Sequence, residues 1–426
     1  MAFTTPSVRA LIATGGLRSV FQPIVDLDAA AVVGYEALVR GPAGSSLESP
    51  AALFAAARAE NCLAELDGAC RVQAFRSAVA HGFVAPLTVF VNVEPEFLDA
   101  APPGELAKIA LAAPGELRVV CEITERAIAA RPAELLHTVE QIRSHGWAVG
   151  LDDVGADPTS LAFMSLLRPE VVKLDLRLIQ RRPNPEIATI MHAVNAYTEA
   201  SGALLLAEGI ETVEHLASAR ALGARFGQGW LFGRPGEQPS ALPVTGAGLP
   251  SIAADDSMDR SPFACLAPGT PIRQAGKRLL IELSKKLEHE ALARGDTAII
   301  AAAFQEARHF TALTAKRYAH LAERTAFVCV LGEDLPAEPI PGARGADLDP
   351  GDPLRGEWDV VVLAPHFAAA LLARDHGDSG PDLDRTFEYA LTYRRDAVVR
   401  AACALLSRVQ PVAVQAGVHG RLADAA

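Results

Sequence analysis

Short apolar runs recur along the first 240 residues of the chain, and each run ends in a polar residue. Such runs are typical of strands in a parallel sheet, because helices cover both faces of that sheet. They predict strands at 20–27, 32–39, 87–93, 117–124, 148–153, 171–175, 203–208 and 223–233. Apolar residues at helical spacing predict intervening helices at 51–58, 66–79, 132–146, 161–167 and 187–200.

Strand and helix alternate at intervals of roughly 25 to 35 residues, which suits βα units that close into a barrel. The segment between 236 and 262 is rich in Pro, Gly, Ser and Asp and lacks periodicity, which predicts a linker. We divide the 426 residues into a barrel domain (1–240), a linker (241–262), a smaller α/β domain (263–412) and a C-terminal tail (413–426). The length of the first part suits an α/β barrel, which typically has ~250 residues.

The polar residues at the strand ends are the candidate catalytic and metal-binding residues. Asp152 and Asp153 end one strand side by side, and they repel each other unless a positive group lies between them. The whole set comprises Glu36, Asn92, Glu122, Asp152, Asp153, Lys173, Glu208 and Gln228. Each has an ordinary alternative, such as a helix cap for either aspartate or a surface ion pair between Glu36 and Arg40. In α/β barrels the active site lies at the carboxyl ends of the strands, where these residues would be grouped. A set of oxygen ligands without His or Cys favours Mg²⁺ or Mn²⁺ over zinc.

Charge and cysteine usage narrow the class of protein. The net charge of −12 argues against a nucleic-acid polymer as partner. The six cysteines form no CxxC pair, and Cys121 and Cys329 fall inside apolar runs, so we expect buried free thiols and a reducing compartment. No stretch approaches the ~18 apolar residues of a membrane span, and the N-terminus lacks a basic segment followed by a long apolar run. We therefore expect a soluble, cytoplasmic protein with no membrane span.

A series of motifs runs in order from residue 15 to residue 236. They are Phe21-Gln22-Pro23, Tyr35-Glu36-Ala37-Leu38, Val91-Asn92-Val93, Glu122-Ile123-Thr124-Glu125, Leu151-Asp152-Asp153, Val172-Lys173-Leu174-Asp175, Ala207-Glu208-Gly209 and Gly227-Gln228-Gly229. With these motifs the chain resembles the EAL-domain phosphodiesterases, which linearise cyclic di-GMP. The resemblance implies a TIM-like (βα)8 barrel whose first strand is antiparallel.

The resemblance also assigns roles to individual residues. Two divalent ions, Mg²⁺ or Mn²⁺, would be held by Glu36, Asn92, Glu122, Asp152, Asp153 and Gln228, with Asp152 shared between the ions. Catalytic roles would fall to Lys173, which orients the attacking water, to Glu208, and to Glu125, which braces the loop after Asp153. The substrate would contact Gln22, Arg40 and Asp175. Two metals ~3.5–4 Å apart generate a hydroxide near neutral pH and clamp both oxygens of an in-line displacement at phosphorus.

The loop after the two aspartates departs from the family pattern. The family has Phe-Gly, a variable residue and Gly, whereas this chain has Val154-Gly155-Ala156-Asp157-Pro158. In the family that loop couples the metal site to the dimer interface, so we expect a homodimer whose rate depends on the altered loop. Because every metal position is retained, we favour a signal-regulated phosphodiesterase that converts cyclic di-GMP to pGpG. The alternative is a non-catalytic cyclic di-GMP receptor that signals through the C-terminal domain.

The C-terminal region predicts a compact α/β domain. We expect helices at 279–293, 311–324 and 396–408 and strands at 297–304, 326–331 and 358–365. The segments 358–367, 373–375 and 387–393 resemble the DICT domain, a sensory module. The resemblance implies regulation by an unknown ligand or protein. The histidines of the C-terminal domain fall on different predicted elements, which argues against a shared metal site. They are His309, His320, His366 and His376.

Overall fold

The computed structural model describes residues 7–93, 103–123, 131–157, 159–237, 243–244, 261–379 and 381–411. This part of the chain forms a closed barrel followed by a seven-stranded sheet. None of its helices combines the length and the hydropathy needed to cross a membrane. All six cysteines are free, and Cys121 and Cys329 are buried, as predicted.

The barrel closes in chain order through eight strands. They are β1 (Arg18–Asp26), β2 (Ala31–Arg40), β3 (Thr88–Asn92), β4 (Arg118–Ile123), β5 (Ala148–Val154), β6 (Val171–Leu174), β7 (Leu204–Ala207) and β8 (Phe226–Gln228). β1 runs antiparallel to both of its neighbours, β2 and β8, and the remaining pairs are parallel. The antiparallel first strand is therefore confirmed.

Side chains fill the interior of the barrel. Apolar residues from successive strands, among them Ile24, Phe90, Val120, Leu206 and Phe226, form one buried cluster. The barrel is thus a packed core rather than a pore, and polar groups at the carboxyl ends of its strands lie at the mouth.

Five helices of this domain were predicted, and they have shifted ends; the other four, α1, α4, α7 and α9 in the series that follows, were not predicted. They are α1 (Val8–Thr14), α2 (Pro50–Ala59), α3 (Leu63–Ala80), α4 (Pro103–Leu111), α5 (Pro132–Ser144), α6 (Thr159–Leu167), α7 (Leu176–Gln180), α8 (Pro185–Ser201) and α9 (Val213–Ala221). α8 shows why the ends fall where they do. Asn184 caps its first turn by accepting a hydrogen bond from Ile187 N, and Gly202 ends it in the left-handed region with φ 75°.

The C-terminal sheet has the strand order β12-β11-β10-β13-β14-β15-β9. Its strands are β9 (Arg273–Gly276), β10 (Ile299–Glu306), β11 (Phe327–Glu333), β12 (Arg344–Ala346), β13 (Glu357–Ala364), β14 (Phe367–Asp375) and β15 (Thr386–Thr392), and its helices are α10 (Lys277–Arg294), α11 (Ala312–Ala322) and α12 (Arg395–Leu406). The sequence analysis predicted β10, β11 and β13 but did not assign β9, β12, β14 or β15. β14 contains a run of alanine and leucine, which are strong helix formers, and only its pairing with β13 and β15 makes it a strand.

The two faces of this sheet pack against different partners. One face, with Val360 and Val362, forms a cluster with α10 and α11. The other face, with Val361 and Leu363, belongs to the same buried cluster as α12 and the barrel helix α6. The two domains therefore share one continuous apolar core. Within the predicted linker, the described residues Pro243 and Val244 contact β2, where Val32 N donates to Pro243 O at 2.7 Å.

Candidate active site

Lys173 lies at the centre of the polar cluster in the barrel mouth. Its side chain is 1% exposed, and its Nζ lies 2.7 Å from Glu122 Oε1, 3.0 Å from Asp152 Oδ1 and 2.8 Å from Glu208 Oε1. Burial alone would lower the pKa of Lys173, but Asp152, Glu122 and Glu208 together raise it well above its usual range. The lysine is therefore a fixed positive charge among carboxylates that would otherwise repel one another.

Glu36 is held by two side-chain amides. Asn92 Nδ2 donates to Glu36 Oε1 at 2.8 Å, and Gln228 Nε2 donates to Glu36 Oε2 at 2.5 Å. Gln228 Nε2 also donates to Gln22 Oε1 at 3.0 Å, so β1, β2, β3 and β8 meet at this carboxylate. Burial would raise the pKa of Glu36, but Lys173 and the two amides outweigh it and leave the pKa below its usual range. Glu36 is thus an ionised carboxylate in a fixed orientation.

Two acids at the end of β5 lie beside Glu208. One carboxylate oxygen each from Asp152, Asp153 and Glu208 lies within 4.8 Å of the others. The pairing of β5 with β6 slips between Leu151 and Val154, and Asp153 adopts the left-handed region with φ 53°. This irregular backbone brings adjacent acids to one end of the strand, where a regular strand would direct them to opposite faces.

Glu122 and Glu208 differ from Glu36 in the direction of their pKa shift. Burial raises the pKa of Glu122 well above its usual range, against the opposing effect of Lys173. Burial likewise raises the pKa of Glu208 to about 8, although 20% of its side chain is exposed at the mouth. Lys173 therefore does not offset the cost of burying the charged forms of Glu122 and Glu208.

The donor set fits divalent metal ions. Glu122 Oε2 and Gln228 Oε1 are buried and accept no hydrogen bond from any described residue. Buried oxygens without partners are costly, and hard cations such as Mg²⁺ and Mn²⁺ prefer carboxylate and amide oxygens of this kind. The orphaned oxygens and the group of Asp152, Asp153 and Glu208 are the observations that a metal centre would account for.

Some predicted site residues have hydrogen-bond partners outside this cluster. Arg40 ends β2, and its Nη1 donates to the carbonyl of the neighbouring Val39 at 2.8 Å. Asp175 caps α7, and its Oδ1 accepts from both the backbone N and the Nε of Arg177 at 2.8 Å. A cap needs only a short polar side chain before a helix, so the position of Asp175 in the sequence alone could not separate the two roles. Glu125 lies outside the described residues.

The sequence analysis predicted a strand at 223–233, but β8 spans only Phe226–Gln228, and a loop that the analysis did not single out follows it. Gln22 Nε2 donates to Gly233 O at 3.2 Å, so this loop lies directly beside the cluster. Its signal in the sequence was an aromatic residue and an arginine, Trp230 and Arg234, within a few positions of Gln228.

Comparison with known proteins identifies both domains. The EAL domain model matches residues 7–235, and the chain belongs to that family. Residues 266–376 match the DICT model, described as a sensory domain in diguanylate cyclases and two-component systems.

Individual relatives match at modest identity. The chain is 29% identical over 223 residues to the uncharacterised EAL-domain protein YkuI of Bacillus subtilis, covering 51% of this chain and 54% of YkuI. It is 32% identical over 118 residues to the cyclic di-GMP phosphodiesterase RocR of Pseudomonas aeruginosa, covering 28% of this chain and 30% of RocR. A Klebsiella pneumoniae BlrP1 complex with calcium and cyclic di-GMP shares 27% identity with a TM-score of 0.47, covering 57% of this chain and 60% of that one. The chain thus matches about a third to a half of the length of these curated relatives.

Proposed function

We propose that the protein is a signal-regulated phosphodiesterase that hydrolyses cyclic di-GMP to linear pGpG with two Mg²⁺ or Mn²⁺ ions. The observation that carries the proposal is the buried Lys173 among Glu122, Asp152 and Glu208, beside carboxylate and amide oxygens that lack partners. An unpaired group of acids would repel a substrate with two phosphodiester charges, so this mouth needs cations before it can accept one.

Each residue has a distinct task in the proposed reaction. Glu36, Asn92, Glu122, Asp152, Asp153 and Gln228 would hold the ions, whose chemistry is to lower the pKa of water and to offset charge on the phosphoryl oxygens. Lys173 would orient the attacking water, which would accept one of the three ammonium donors that here face Glu122, Asp152 and Glu208. Glu208 lies on the exposed side of the lysine, where water and substrate enter. Gln22, Arg40 and Asp175 would contact the substrate from the rim.

The regulatory part of the proposal rests on α6, which lies between the barrel and the C-terminal sheet. Every residue from 160 to 167 is buried. The Phe163 ring meets the Phe327 ring of the sheet at 5.7 Å and 72°. Arg395 Nη1 donates to Ser165 Oγ at 3.3 Å and to Ala364 O at 3.0 Å, which joins α6 to the turn between β13 and β14.

The first turn of α6 is tied to the acids at the end of β5. Ser160 Oγ accepts from Gly155 N at 3.2 Å and donates to Asp157 O at 2.7 Å, while Ala156 N donates to Asp153 O at 3.0 Å. Gly155 has φ 96°, and a Cβ there would lie 2.7 Å from Leu178 Cδ1, so the turn has no spare room. A change in how the C-terminal sheet packs on α6 therefore reaches Asp153 through a short and rigid path.

The decisive experiment is incubation of the purified full chain with cyclic di-GMP and Mn²⁺ or Mg²⁺, followed by chromatographic separation of products. We expect pGpG, and we expect none when the metal is chelated. Binding of cyclic di-GMP by calorimetry without any pGpG in either metal would contradict the phosphodiesterase and favour the receptor alternative.

A further inference from the structure

One exposed carboxylate in the C-terminal domain faces three buried nitrogen groups. Lys277 Nζ lies 2.6 Å from Asp382 Oδ1, and Arg385 Nη1 donates to the same oxygen at 3.2 Å. The Nε2 atom of His309 lies 3.4 Å from it. The side chains of Lys277, His309 and Arg385 are 10%, 11% and 13% exposed, whereas that of Asp382 is 53% exposed. The nitrogen groups are thus set into the domain, and a carboxylate covers them from the solvent side.

The two cations are held in place by groups other than Asp382. Arg385 Nη2 donates to Gln305 Oε1 at 2.9 Å and to the Asp375 carboxylate. The backbone N of Lys277 donates to Arg385 O at 2.9 Å. Gln305 is 4% exposed and adopts the left-handed region with φ 64°, a conformation that persists only where rigid surroundings maintain it. The donors are therefore preorganised and keep their places when Asp382 moves away.

His309 fixes the direction of the Arg385 guanidinium. Its Nδ1 lies 3.1 Å from Phe304 O and donates to that carbonyl, which leaves Nε2 to accept from Arg385 Nη1 at 3.2 Å. Burial, and next the charge of Lys277, lowers the pKa of His309 and favours this neutral form. The positive charge of the group therefore comes from Lys277 and Arg385, and Nη1 is the guanidinium nitrogen that faces Asp382.

The turn that carries Asp382 has few other ties. It spans Asp382–Asp384, and Leu383 at its centre is 44% exposed. Asp384 lies 3.7 Å from Arg278 in an ion pair whose side chains are 62% and 71% exposed. Such a surface pair contributes at most ~1 kcal/mol. Of the polar side-chain contacts described for this turn, those of Asp382 are the ones that reach buried groups, and a competing anion would release them.

We propose that Lys277 and Arg385 form a phosphate-binding site in the C-terminal domain, which Asp382 occupies until a ligand displaces it. Arg385 cannot pair with a carboxylate through two nitrogens, because Gln305 and Asp375 already engage Nη2. A free carboxylate would also compete poorly with Asp382, whose tether gives an effective concentration on the order of millimolar. A tetrahedral phosphate bears more charge and places separate oxygens opposite the ammonium and the guanidinium. The site would give the sensory domain a ligand class, and it does not depend on the proposed phosphodiesterase activity.

Calorimetric titration of the full chain with inorganic phosphate, in a chloride buffer without added metal or cyclic di-GMP, tests the site. Asp382→Asn should bind phosphate at least about fivefold more tightly than wild type, because the tethered competitor is gone. Asp384→Asn is the matched control, since it removes the same charge from the same turn, and its affinity should stay within about twofold of wild type. An equal gain in both variants would reduce the effect to net charge and overturn the site, as would the absence of phosphate binding to Asp382→Asn.

A second pair of variants tests the cation. In the Asp382→Asn background, Lys277→Gln should abolish phosphate binding, whereas Arg278→Gln, at the exposed neighbouring position, should preserve it. Loss of binding in both would contradict the site. Phosphate should also raise the melting temperature of Asp382→Asn, because it replaces the counter-charge that Lys277 has lost.

Two further titrants define the ligand. Binding of inorganic phosphate or of glycerol phosphate supports the site, and the tighter of the two assigns it to free phosphate or to a phosphate monoester. Acetate that binds more tightly than either would overturn the assignment to phosphate.

Discussion

Lys173 Nζ lies 2.7 Å from Glu122 Oε1, and the two side chains are 1% and 0% exposed. A buried charge is stable only while its partner remains, because removal of one member leaves the other charge without solvent or counter-ion. This pair therefore joins two properties of the protein, the stability of the barrel and the charge of its mouth.

Lys173→Ala should separate these two properties. Without metal, the variant should lose about 3–5 kcal/mol of unfolding free energy, because the acids around the lysine lose their counter-charge. Mn²⁺ should restore much of that loss, yet turnover should remain far below wild type while cyclic di-GMP still binds in Ca²⁺. Thermal melts with and without Mn²⁺, together with calorimetry, check this. A melting temperature that does not respond to Mn²⁺, or a loss of binding parallel to the loss of activity, would contradict it.

Glu36→Ala and Asp152→Asn should each abolish hydrolysis without unfolding the barrel. Both side chains are proposed metal ligands, and loss of charge stabilisation at phosphorus should reduce kcat by at least about a hundredfold. Glu199→Gln, an exposed acid on α8, serves as the control and should retain full activity. Activity within about tenfold of wild type in either ligand variant would exclude that ligand.

Phe327→Ala and Arg395→Ala should weaken the site from the far side of α6. Both contact the outer face of that helix, and loosening it should let the Asp153 turn relax from its left-handed conformation. We expect Mn²⁺ affinity and kcat to fall on the order of fivefold.

Phe387→Ala is the matched control for this effect, because Phe387 is equally buried in the C-terminal domain but on the face away from the barrel. It should destabilise the domain and leave Mn²⁺ affinity closer to wild type. Calorimetric titration of the metal gives a result that does not depend on turnover. Equal losses in all three variants would mean that α6 responds only to general instability.

Asp359 should make the C-terminal domain less stable as the pH rises. Its side chain is fully buried on β13. Burial, and next the neighbouring Glu357, raises its pKa well above the ordinary 3.8, so the folded domain holds this proton more tightly than the unfolded chain does. The stability that the proton provides is complete below the unfolded pKa and is lost as the pH climbs towards the folded one.

Asp359→Asn should therefore stabilise the domain by about 1–3 kcal/mol at pH 8, and less at pH 5. Urea unfolding at the two pH values measures the difference, with the exposed Asp349→Asn as control. A gain of equal size at both pH values would show that Asp359 does not titrate in this range.

The parts of the site that sequence predicted are those set by local pattern. Glu122 and Lys173 stood out because a charge interrupts an apolar strand there, and a charge on a buried strand needs a partner. The backbone geometry of Asp153 could not be predicted from the sequence, because its left-handed conformation depends on the slipped pairing of β5 with β6. Asp175 shows the same limit, because a helix cap and a substrate contact require the same short acid.

The contact between the domains was also absent from the sequence analysis, although α6 carried a signal. Its sequence from Leu161 to Leu167 is apolar except for Ser165, which is typical of a helix buried on every side. A helix in the outer layer of a barrel normally has a polar face, so this one required a second covering partner. Only the fold could show that the partner is the sheet at β11 and β13.

The position of α6 has a consequence for how such proteins are assembled and inherited. The boundary that composition draws near residue 240 divides the chain but not the core, because Phe163 and Leu166 are covered by residues more than a hundred positions away. The C-terminal sheet covers the outer face of α6 and forms a further layer around this side of the barrel. Exchange of this domain for a different sensor would have to bring a matching surface for α6. Recombination at the linker alone would leave the barrel with an exposed apolar helix beside the acids at the end of β5.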